Sequence, residues 1–158
     1  MKVSVRDARK EDMPKVLELI HDLAVFEKEP EAVEVTLKEL EAAGFDGQAD
    51  FKCFVGEVNK EIVGMALVYF RFSTWKGKIV HLEDLIVKEK MRGKGVGSAL
   101  YKRVLEYASE QGVKRVNWEV LDWNEDAIKF YERSGAIIKH DWRPVEMNEI
   151  ALNKFLKK

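Results

Sequence analysis

Apolar residues repeat along the chain with two periods, one typical of strands and one typical of helices. Val3 and Val5 alternate with polar residues, which predicts a short first strand. The other predicted strands are apolar runs over 51–58, 62–70, 79–87, 113–121, 136–139 and 142–147. Asn59 and Lys60 separate the second strand from the third, so we expect a tight turn there.

Helix signals lie between and after these strands. Asp12 is positioned to cap a first helix that has Pro14 in its first turn. Thr36 and Glu39 fit a capping box, and Gly135 has the position of a glycine that ends a helix. The predicted helices start at Asp12, at Thr36 (to about Gly44), at Gly95, at Asn124 or Glu125 (to Arg133), and at about Asn148.

This order of elements predicts an α/β protein with a mixed sheet, not a doubly wound one. Three successive strands should form an antiparallel meander. The later strand–helix–strand unit should be parallel, with a right-handed crossover. The chain has 158 residues, enough for one sizeable core, so we expect a single domain over 1–158.

Composition excludes several classes of protein. Hydrophobic residues make up 46% and charged residues 35%, which is typical of a folded globular chain. Lys plus Arg numbers 27 against 28 for Asp plus Glu, which argues against a nucleic-acid binder. The apolar run 62–70 is too short to span a membrane, and no secretory leader is visible. One cysteine and three distant histidines argue against a disulfide or a metal site and favour the cytoplasm.

Charge is distributed unevenly along the chain. The segment 22–50 holds nine acidic residues and two lysines, and the segment 88–115 holds eight basic and three acidic residues. A fold could therefore bind a cation near the first segment and an anion near the second. Solvated helix faces are the alternative, and for the acidic segment alone they are the favoured interpretation.

The most informative basic segment is the glycine turn 92–98, which reads Arg-Gly-Lys-Gly-Val-Gly-Ser. Glycines let backbone amides approach a ligand, and the start of the following helix adds unpaired N–H groups, so phosphate oxygens would fit here. The Walker pattern is absent, and Ser98 occupies the place of the third glycine of a dinucleotide fingerprint. A tight turn that merely requires small residues is the alternative. The preceding strand and the cations Arg92 and Lys94 favour anion binding.

Arg92, Gly95 and Gly97 after an apolar strand resemble the acetyl-coenzyme A signature of the GCN5-related N-acetyltransferase (GNAT) superfamily. The segments 123–125, 130–131 and 135–136 resemble its second motif. The chain is further similar to the diamine (spermidine/spermine) and thialysine N-acetyltransferase branch. That similarity rests also on 23–24, Glu27, 75–78, 82–84 and 142–143. Phe26 occupies the position of a tyrosine in the polyamine enzymes.

The resemblance implies the GNAT fold with splayed central strands, and a homodimer. It implies direct acetyl transfer from acetyl-coenzyme A, without a metal, to a primary amine of a diamine, polyamine or thialysine-like amino acid. The implied coenzyme contacts are Leu85, Ile86, Val87, Arg92, Gly93, Lys94, Gly95, Val96, Gly97, Ser98, Asn124, Asp126, Tyr131 and Arg133. The implied amine pocket comprises Phe26, Glu27, Glu83, Asp84, Asn117, Trp118 and Glu119.

Glu83 is the best candidate for the catalytic base. A protonated amine is not a nucleophile, so a base must remove its proton, directly or through water. Glu83 and Asp84 interrupt an apolar strand, where burial would raise a carboxyl pKa. Strand alternation predicts that the two side chains lie on opposite faces. A salt bridge to a neighbouring helix is the alternative, and the resemblance favours either deprotonation or amine binding by Glu83.

The resemblance also assigns Tyr131 as the acid that protonates the leaving thiolate. A phenol with a pKa of about 10 is suited to that step, although a core aromatic ring is the simpler interpretation of its position. A backbone N–H within 85–87 could hold the acetyl oxygen. Lys88, Lys90 and Lys94 could steer the 3′-phosphate, or could simply keep the surface soluble.

Other residues and other functions complete the expectations. The three histidines show no catalytic arrangement, and Cys53 should be buried and inert. A coenzyme A sensor without turnover would need the glycine turn but neither Glu83 nor Tyr131. An acetyltransferase for protein lysines or N-termini would share all the coenzyme residues.

Overall fold

The computed structural model of the protein describes every residue from Met1 to Lys158. Its strands are β1 (Val3–Asp7), β2 (Lys52–Val58), β3 (Glu61–Ser73), β4 (Gly77–Val87) and β5 (Val116–Asn117). Its helices are α1 (Met13–Phe26), α2 (Leu37–Phe45), α3 (Val96–Glu110), α4 (Glu125–Arg133) and α5 (Glu149–Phe155). None of the helices has the length and apolar character needed to cross a membrane.

The five strands form one mixed sheet in the order β1-β2-β3-β4-β5. The first four are antiparallel neighbours, and β5 lies parallel to β4 after the α3 crossover. The predicted α/β class, the meander and the parallel unit are therefore confirmed. β5 pairs with β4 only at Val116 with Val80 and at Asn117 with His81. Beyond His81, β4 continues to Val87 without a strand on that side, which agrees with the expected splayed strands.

The structure confirms the predicted capping box of α2 and contradicts the predicted cap of α1. The capping box of α2 is confirmed, because Thr36 N donates to Glu39 Oε2 at 2.8 Å and Glu39 N donates to Thr36 Oγ1 at 3.2 Å. The tight turn at 59–60 is also confirmed, with φ values of 52° and 66°. Asp12 precedes α1, but its carboxylate does not cap that helix. It accepts a hydrogen bond from Arg6 Nη1 at 2.7 Å instead.

A hydrophobic core lies on each face of the sheet. On one face, Val80 and Leu82 of β4 pack in a cluster with Leu100 of α3. On the other face, Met65 and Ile86 pack in a cluster with residues of α1 and α2. We call this second side the α1 face. Cys53 belongs to it, and burial raises the pKa of the Cys53 thiol to about 12, as expected for an inert cysteine.

A β-bulge interrupts the alternation of β4. Asp84 lies opposite Leu67 and Leu82 lies opposite Val68, so Glu83 is an extra residue with no residue opposite it. Leu67 belongs to the core on the α1 face. Because residues opposite each other in a sheet point to the same face, Asp84 also points to the α1 face.

The bulge brings Glu83 to that face as well. Tyr69 follows Leu67 by two residues and lies opposite His81, so both side chains are on the α1 face. The Oε2 atom of Glu83 contacts both Tyr69 and His81. The prediction that Glu83 and Asp84 lie on opposite faces is therefore wrong, because strict alternation does not hold across a bulge.

The fifth strand is much shorter than predicted. A strand over 113–121 was expected, but β5 contains only Val116 and Asn117. Its pairing with β4 ends at His81, two residues before the bulge at Glu83. A bulge bends its strand and disrupts the ladder of hydrogen bonds, so the apolar residues after β5 have no regular edge of β4 to pair with.

The chain divides into two compact units, Met1–Glu119 and Val120–Lys158. The first unit contains the sheet and α1 to α3, and the second contains α4 and α5. The strands predicted over 136–139 and 142–147 do not form in the second unit. Their apolar alternation lacks a partner strand to satisfy its backbone hydrogen bonds, since only β1 to β5 pair in the sheet. Trp142 and Val145 are correspondingly exposed, at 67% and 94%.

Candidate active site

Three carboxylates interact near the bulge, and we call Glu27, Glu83 and Asp84 the acidic group. Glu27 directly follows α1, and the other two belong to β4. Burial, followed by the charges of Glu83 and Glu27, raises the pKa of Asp84 to about 6. Burial and the charge of Glu83 also raise the pKa of Glu27. Carboxylates that repel one another in this way favour a cation as ligand.

Glu83 is the most exposed of the three carboxylates, and two protein groups contact its Oε2 atom. Tyr69 Oη donates to Glu83 Oε2 at 3.2 Å, and His81 Nε2 lies 3.3 Å from the same oxygen. The hydrogen bond with His81 outweighs partial burial and lowers the pKa of Glu83, contrary to the increase expected from its place in an apolar strand. Its side chain is 50% exposed. Glu83 is thus an anion whose Oε2 is held by Tyr69 and His81 and whose side chain is half exposed.

His81 is a polar residue in the core that was not among the predicted site residues. It is only 6% exposed. Its Nδ1 atom lies 2.8 Å from Asn117 Oδ1 and 3.1 Å from Arg71 Nη1. The hydrogen bond with Glu83, against the effect of burial, raises the pKa of His81. The sequence showed no catalytic arrangement at any histidine, and the structure places His81 in direct contact with the candidate base Glu83.

Two predicted residues of the amine pocket, Asn117 and Glu119, interact with the side chains that contact Glu83. Asn117 is joined to Glu83 by way of His81. Glu119 is exposed, and its negative charge contributes to raising the pKa of Tyr69. Both residues therefore contribute to the polar surroundings of Glu83.

The two predicted aromatic residues of the pocket are placed differently. Phe26 ends α1, directly before Glu27, and its ring centroid lies 4.8 Å from the guanidinium carbon of Arg92. Trp118 packs against the core on the α3 side, with its ring centroid 5.7 Å from that of Tyr101. The structure therefore brings Phe26 close to the acidic group and does not bring Trp118 there.

The part of β4 after the bulge presents backbone amides at the open edge. Lys88 N donates to Val63 O at 2.8 Å, so this amide points toward β3. Because amides alternate along a strand, Ile86 also points toward β3, whereas Leu85 and Val87 point away from it. Of the three residues expected to hold an acetyl oxygen, Leu85 and Val87 have N–H groups directed to the edge that β5 leaves open.

The glycine turn has the backbone conformation expected of an anion site. Gly93 and Gly95 have φ values of 72° and 87°, and a Cβ atom at either would meet nothing within 4 Å. The first hydrogen bond of α3 runs from Ala99 N to Gly95 O at 3.0 Å. The amides of 96–98 therefore have no helical acceptor. The space beside the glycines and these amides together fit a phosphate group.

The cations near the turn differ in their surroundings. Arg92 Nε donates to Val87 O at 3.1 Å, which ties the turn to the end of β4. Lys88 Nζ forms an ion pair with Glu18 Oε1 at 2.7 Å, so its positive charge is already paired within the protein. Lys90 and Lys94 are exposed.

The remaining predicted residues belong to the second unit. Asn124 caps α4, because its Oδ1 accepts from Ala127 N at 3.4 Å. Tyr131 is half-buried in α4, and Asp126 and Arg133 on the same helix are exposed. The coenzyme contacts of these four predicted residues stay predictions.

The comparison with protein families agrees with this arrangement. The Acetyltransferase (GNAT) family matches residues 13–136, from the start of α1 to just beyond α4. The chain belongs to the GNAT family. Relatives named as N-acetyltransferases match most of the chain, and this GNAT protein is accordingly an N-acetyltransferase.

Two relatives indicate which branch of the GNAT family this enzyme resembles. A thialysine N-epsilon-acetyltransferase of Bos taurus is 37% identical over 142 residues, which covers 85% of this chain and 84% of the relative. A spermidine/spermine N(1)-acetyltransferase-like protein 1 of Homo sapiens is 34% identical over 140 residues, covering 84% of this chain and 20% of that protein. The predicted resemblance to the diamine and thialysine branch is confirmed.

Solved structures confirm the fold of this GNAT enzyme. An integron cassette protein from V. cholerae has a TM-score of 0.80 at 22% identity and covers 100% of this chain and 99% of its own. An identity this low bears on the fold alone. The GNAT fold predicted from the glycine turn and the second motif is therefore confirmed.

Proposed function

We propose that this GNAT enzyme acetylates a primary amine of a small cationic substrate, by direct transfer from acetyl-coenzyme A in a ternary complex. The observation that carries the proposal is the acidic group, which lies directly before the open amides of β4. A diamine, a polyamine or a thialysine-like amino acid has the positive charge that these carboxylates would bind. The proposal assigns the reaction to the cytoplasm, where the unpaired Cys53 stays reduced.

The acidic group would perform two tasks. An amine of lysine type has a pKa of about 10.4, so freeing its lone pair at neutral pH costs ~4–5 kcal/mol. Glu83 is the proposed proton acceptor through its Oε1 atom, directly or through one water molecule. Asp84 and Glu27 would hold the remaining positive charge of the substrate, since each has its pKa raised by negative neighbours that a bound cation would neutralise.

The proposed sites for the diphosphate and the acetyl group of the donor both lie in the first unit. Acetyl-coenzyme A supplies an acetyl thioester, which the free amine attacks. Amides of 96–98 and the space beside Gly93 and Gly95 fit the diphosphate, with Lys94 adding positive charge. The N–H groups of Leu85 and Val87 are suited to stabilise the acetyl oxygen as negative charge develops on it.

Tyr131 is the proposed acid for the leaving thiolate. A phenol hydroxyl can donate its proton to a thiolate of comparable basicity. Its helix α4 begins at the capping residue Asn124, which we propose contacts the pantetheine arm. The homodimer stays a prediction.

The substrate class is tested with purified protein, acetyl-coenzyme A and a panel of amines, by following thiol release. We expect turnover with diamines, polyamines or thialysine and lysine analogues that carry a second charged group near the nucleophile. Monoamines of equal length are the matched controls, and their kcat/KM should be lower by about tenfold or more because they leave part of the acidic group unpaired. Release with none of the cationic amines would refute the substrate class.

The glycine turn is tested by calorimetry with coenzyme A. Gly95→Ala places a Cβ in the open space at a φ of 87°, and we expect it to weaken binding about tenfold to a hundredfold because the turn and the amides must shift. Gly112→Ala is the matched control, since Gly112 has a φ of 68° but follows the far end of α3. Both variants should lose a similar ~1–3 kcal/mol of stability. Equal coenzyme affinity in the two variants would contradict the proposed site.

A further inference from the structure

His81 is buried between two strands and contacts the candidate base. It is 6% exposed, yet both of its ring nitrogens have polar neighbours. Nε2 lies 3.3 Å from Glu83 Oε2, and Nδ1 lies 2.8 Å from Asn117 Oδ1. A buried imidazole with an acceptor at each nitrogen has a place for two protons, so the site accommodates the imidazolium.

The Nδ1 atom also has a hydrogen-bond donor as a neighbour, in addition to the acceptor Asn117 Oδ1. Arg71 Nη1 lies 3.1 Å from Nδ1 and can only donate. When Nδ1 carries a proton, it donates to Asn117, and when Nδ1 is bare, it accepts from Arg71. The imidazolium and the neutral ring with its proton on Nδ1 both donate to Asn117. The neutral ring with a bare Nδ1 has its proton on Nε2 instead, so only the Nδ1-protonated neutral ring can receive a proton at Nε2.

We propose that His81 is a positioning residue that acts through Glu83 and takes over the proton that Glu83 removes from the amine. The inference rests on the proposed function, because it concerns how the same acidic group deprotonates its substrate. Neither the sequence motifs nor the predicted site include His81. What carries the inference is that Tyr69 and His81 both contact Glu83 at the same oxygen, Oε2, while half of the Glu83 side chain is exposed.

The proposed step conserves protons and charge. The substrate ammonium gives one proton to Glu83 Oε1, which leaves a neutral amine and a carboxylic acid. The carboxyl group turns about its last side-chain bond, which has broad torsional freedom, and presents that proton to the bare Nε2 of neutral His81, whose own proton is on Nδ1 and is donated to Asn117. Glu83 returns to the carboxylate, and His81 becomes an imidazolium with its Nδ1 proton on Asn117 Oδ1. The imidazolium releases its extra proton to water before the next turnover.

Histidine suits this role because its proton affinity lies between those of the substrate amine and the Glu83 carboxylate. At the ordinary pKa values of 6.5 and 4.5, an imidazolium holds its proton about a hundredfold more tightly than a carboxylic acid does. The Glu83 contact moves both groups further in that direction, since it raises the pKa of His81 and lowers that of Glu83. A carboxylate alone would be a weak base toward an amine, and the histidine favours the overall removal of the proton by making the second transfer, from Glu83 to His81, downhill.

The groups around His81 determine what its titration reports. Tyr69 and Arg71 face it from β3, Asn117 faces it from β5, and Glu83 faces it from its own strand. Asp84 is the neighbouring group that could imitate its titration, because the pKa of Asp84 is about 6. A test by pH dependence must therefore separate His81 from Asp84.

His81→Gln makes that separation. Glutamine can still donate to Glu83 but cannot take up a proton, so a purely structural contact would be largely preserved. We expect kcat to fall about tenfold to a hundredfold with an unchanged KM for acetyl-coenzyme A. In the wild type, kcat at saturating amine should rise with pH through an apparent pKa above 6.5, because His81 must be neutral to receive the proton. In His81→Gln that rise should disappear, whereas in Asp84→Asn it should remain.

A direct measurement keeps the inference testable if either variant folds poorly. Nitrogen NMR of the wild-type protein with coenzyme A bound should show His81 titrating above 6.5, and Glu83→Gln should lower that pKa. His21→Gln, which removes an exposed histidine of α1, is the control and should change neither the profile nor kcat. A His81 that stays neutral down to pH 5, or a His81→Gln variant with the wild-type profile, would overturn the inference. The NMR titration needs no turnover, so a failed amine panel would refute the proposed function separately.

Discussion

Glu83→Gln should lower kcat by about 100- to 10,000-fold, which is the usual contribution of a general base. Glutamine keeps the shape of the side chain and can still accept from Tyr69 and His81, so the bulge and the sheet should remain intact. What is lost is the negative charge and the ability to take a proton from the amine. The measurement is steady-state kinetics with the best amine of the panel, with KM for the amine determined separately.

The matched control for this variant is Glu106→Gln on α3. Glu106 pairs with Lys102 on the exposed side of that helix, and its replacement should leave kcat within about twofold of the wild type. If Glu83→Gln raised the KM for the amine and left kcat unchanged, Glu83 would be a substrate anchor. The assignment as the base would then be wrong.

Tyr131→Phe is the second large effect that we expect. It removes a single hydroxyl group, and kcat should fall about 100-fold or more if that hydroxyl protonates the leaving thiolate. Affinity for coenzyme A should change little, because the ring and the helix α4 remain. Calorimetry with coenzyme A and steady-state kinetics measure both expectations.

Tyr107→Phe is the control for the loss of a hydroxyl. Tyr107 lies on α3, and its ring packs 5.6 Å from Phe54 and 6.1 Å from Phe70 between ring centroids. Its replacement should leave turnover unchanged within about twofold, since packing is retained. A Tyr131→Phe variant with the turnover of this control would remove Tyr131 from the mechanism.

Features encoded by a few neighbouring residues were predictable from the sequence. Thr36 and Glu39 close the capping box of α2 on each other, and no distant residue is needed. The glycines of the turn adopt positive φ because no side chain resists it, and α3 begins directly after Gly95. The family signature lies in this same segment, which is why the family could be recognised before the fold was known.

The chemistry of the candidate site depended on which strands lie beside each other. Glu83 was found from its place in an apolar run, but its orientation followed from a bulge that only the register with Leu67 and Val68 reveals. His81 is one of several residues in that run, and its partners Asn117 and Arg71 come from two other strands. The signal available in the sequence was His81 itself, a polar residue within an apolar run, two positions before the candidate base Glu83.

The sequence by itself determined the family, the mixed sheet, the glycine turn and the carboxylates of the site, because each depends on residue type and short-range spacing. Only the tertiary structure decided that Glu83 and Asp84 share a face, that β5 stops at Asn117, and that His81 contacts Glu83. It also left 136–147 without strands, although the apolar alternation is present there. The physical reason is that strand register, pairing and burial are set by contacts between segments distant in the chain, which local patterns do not contain.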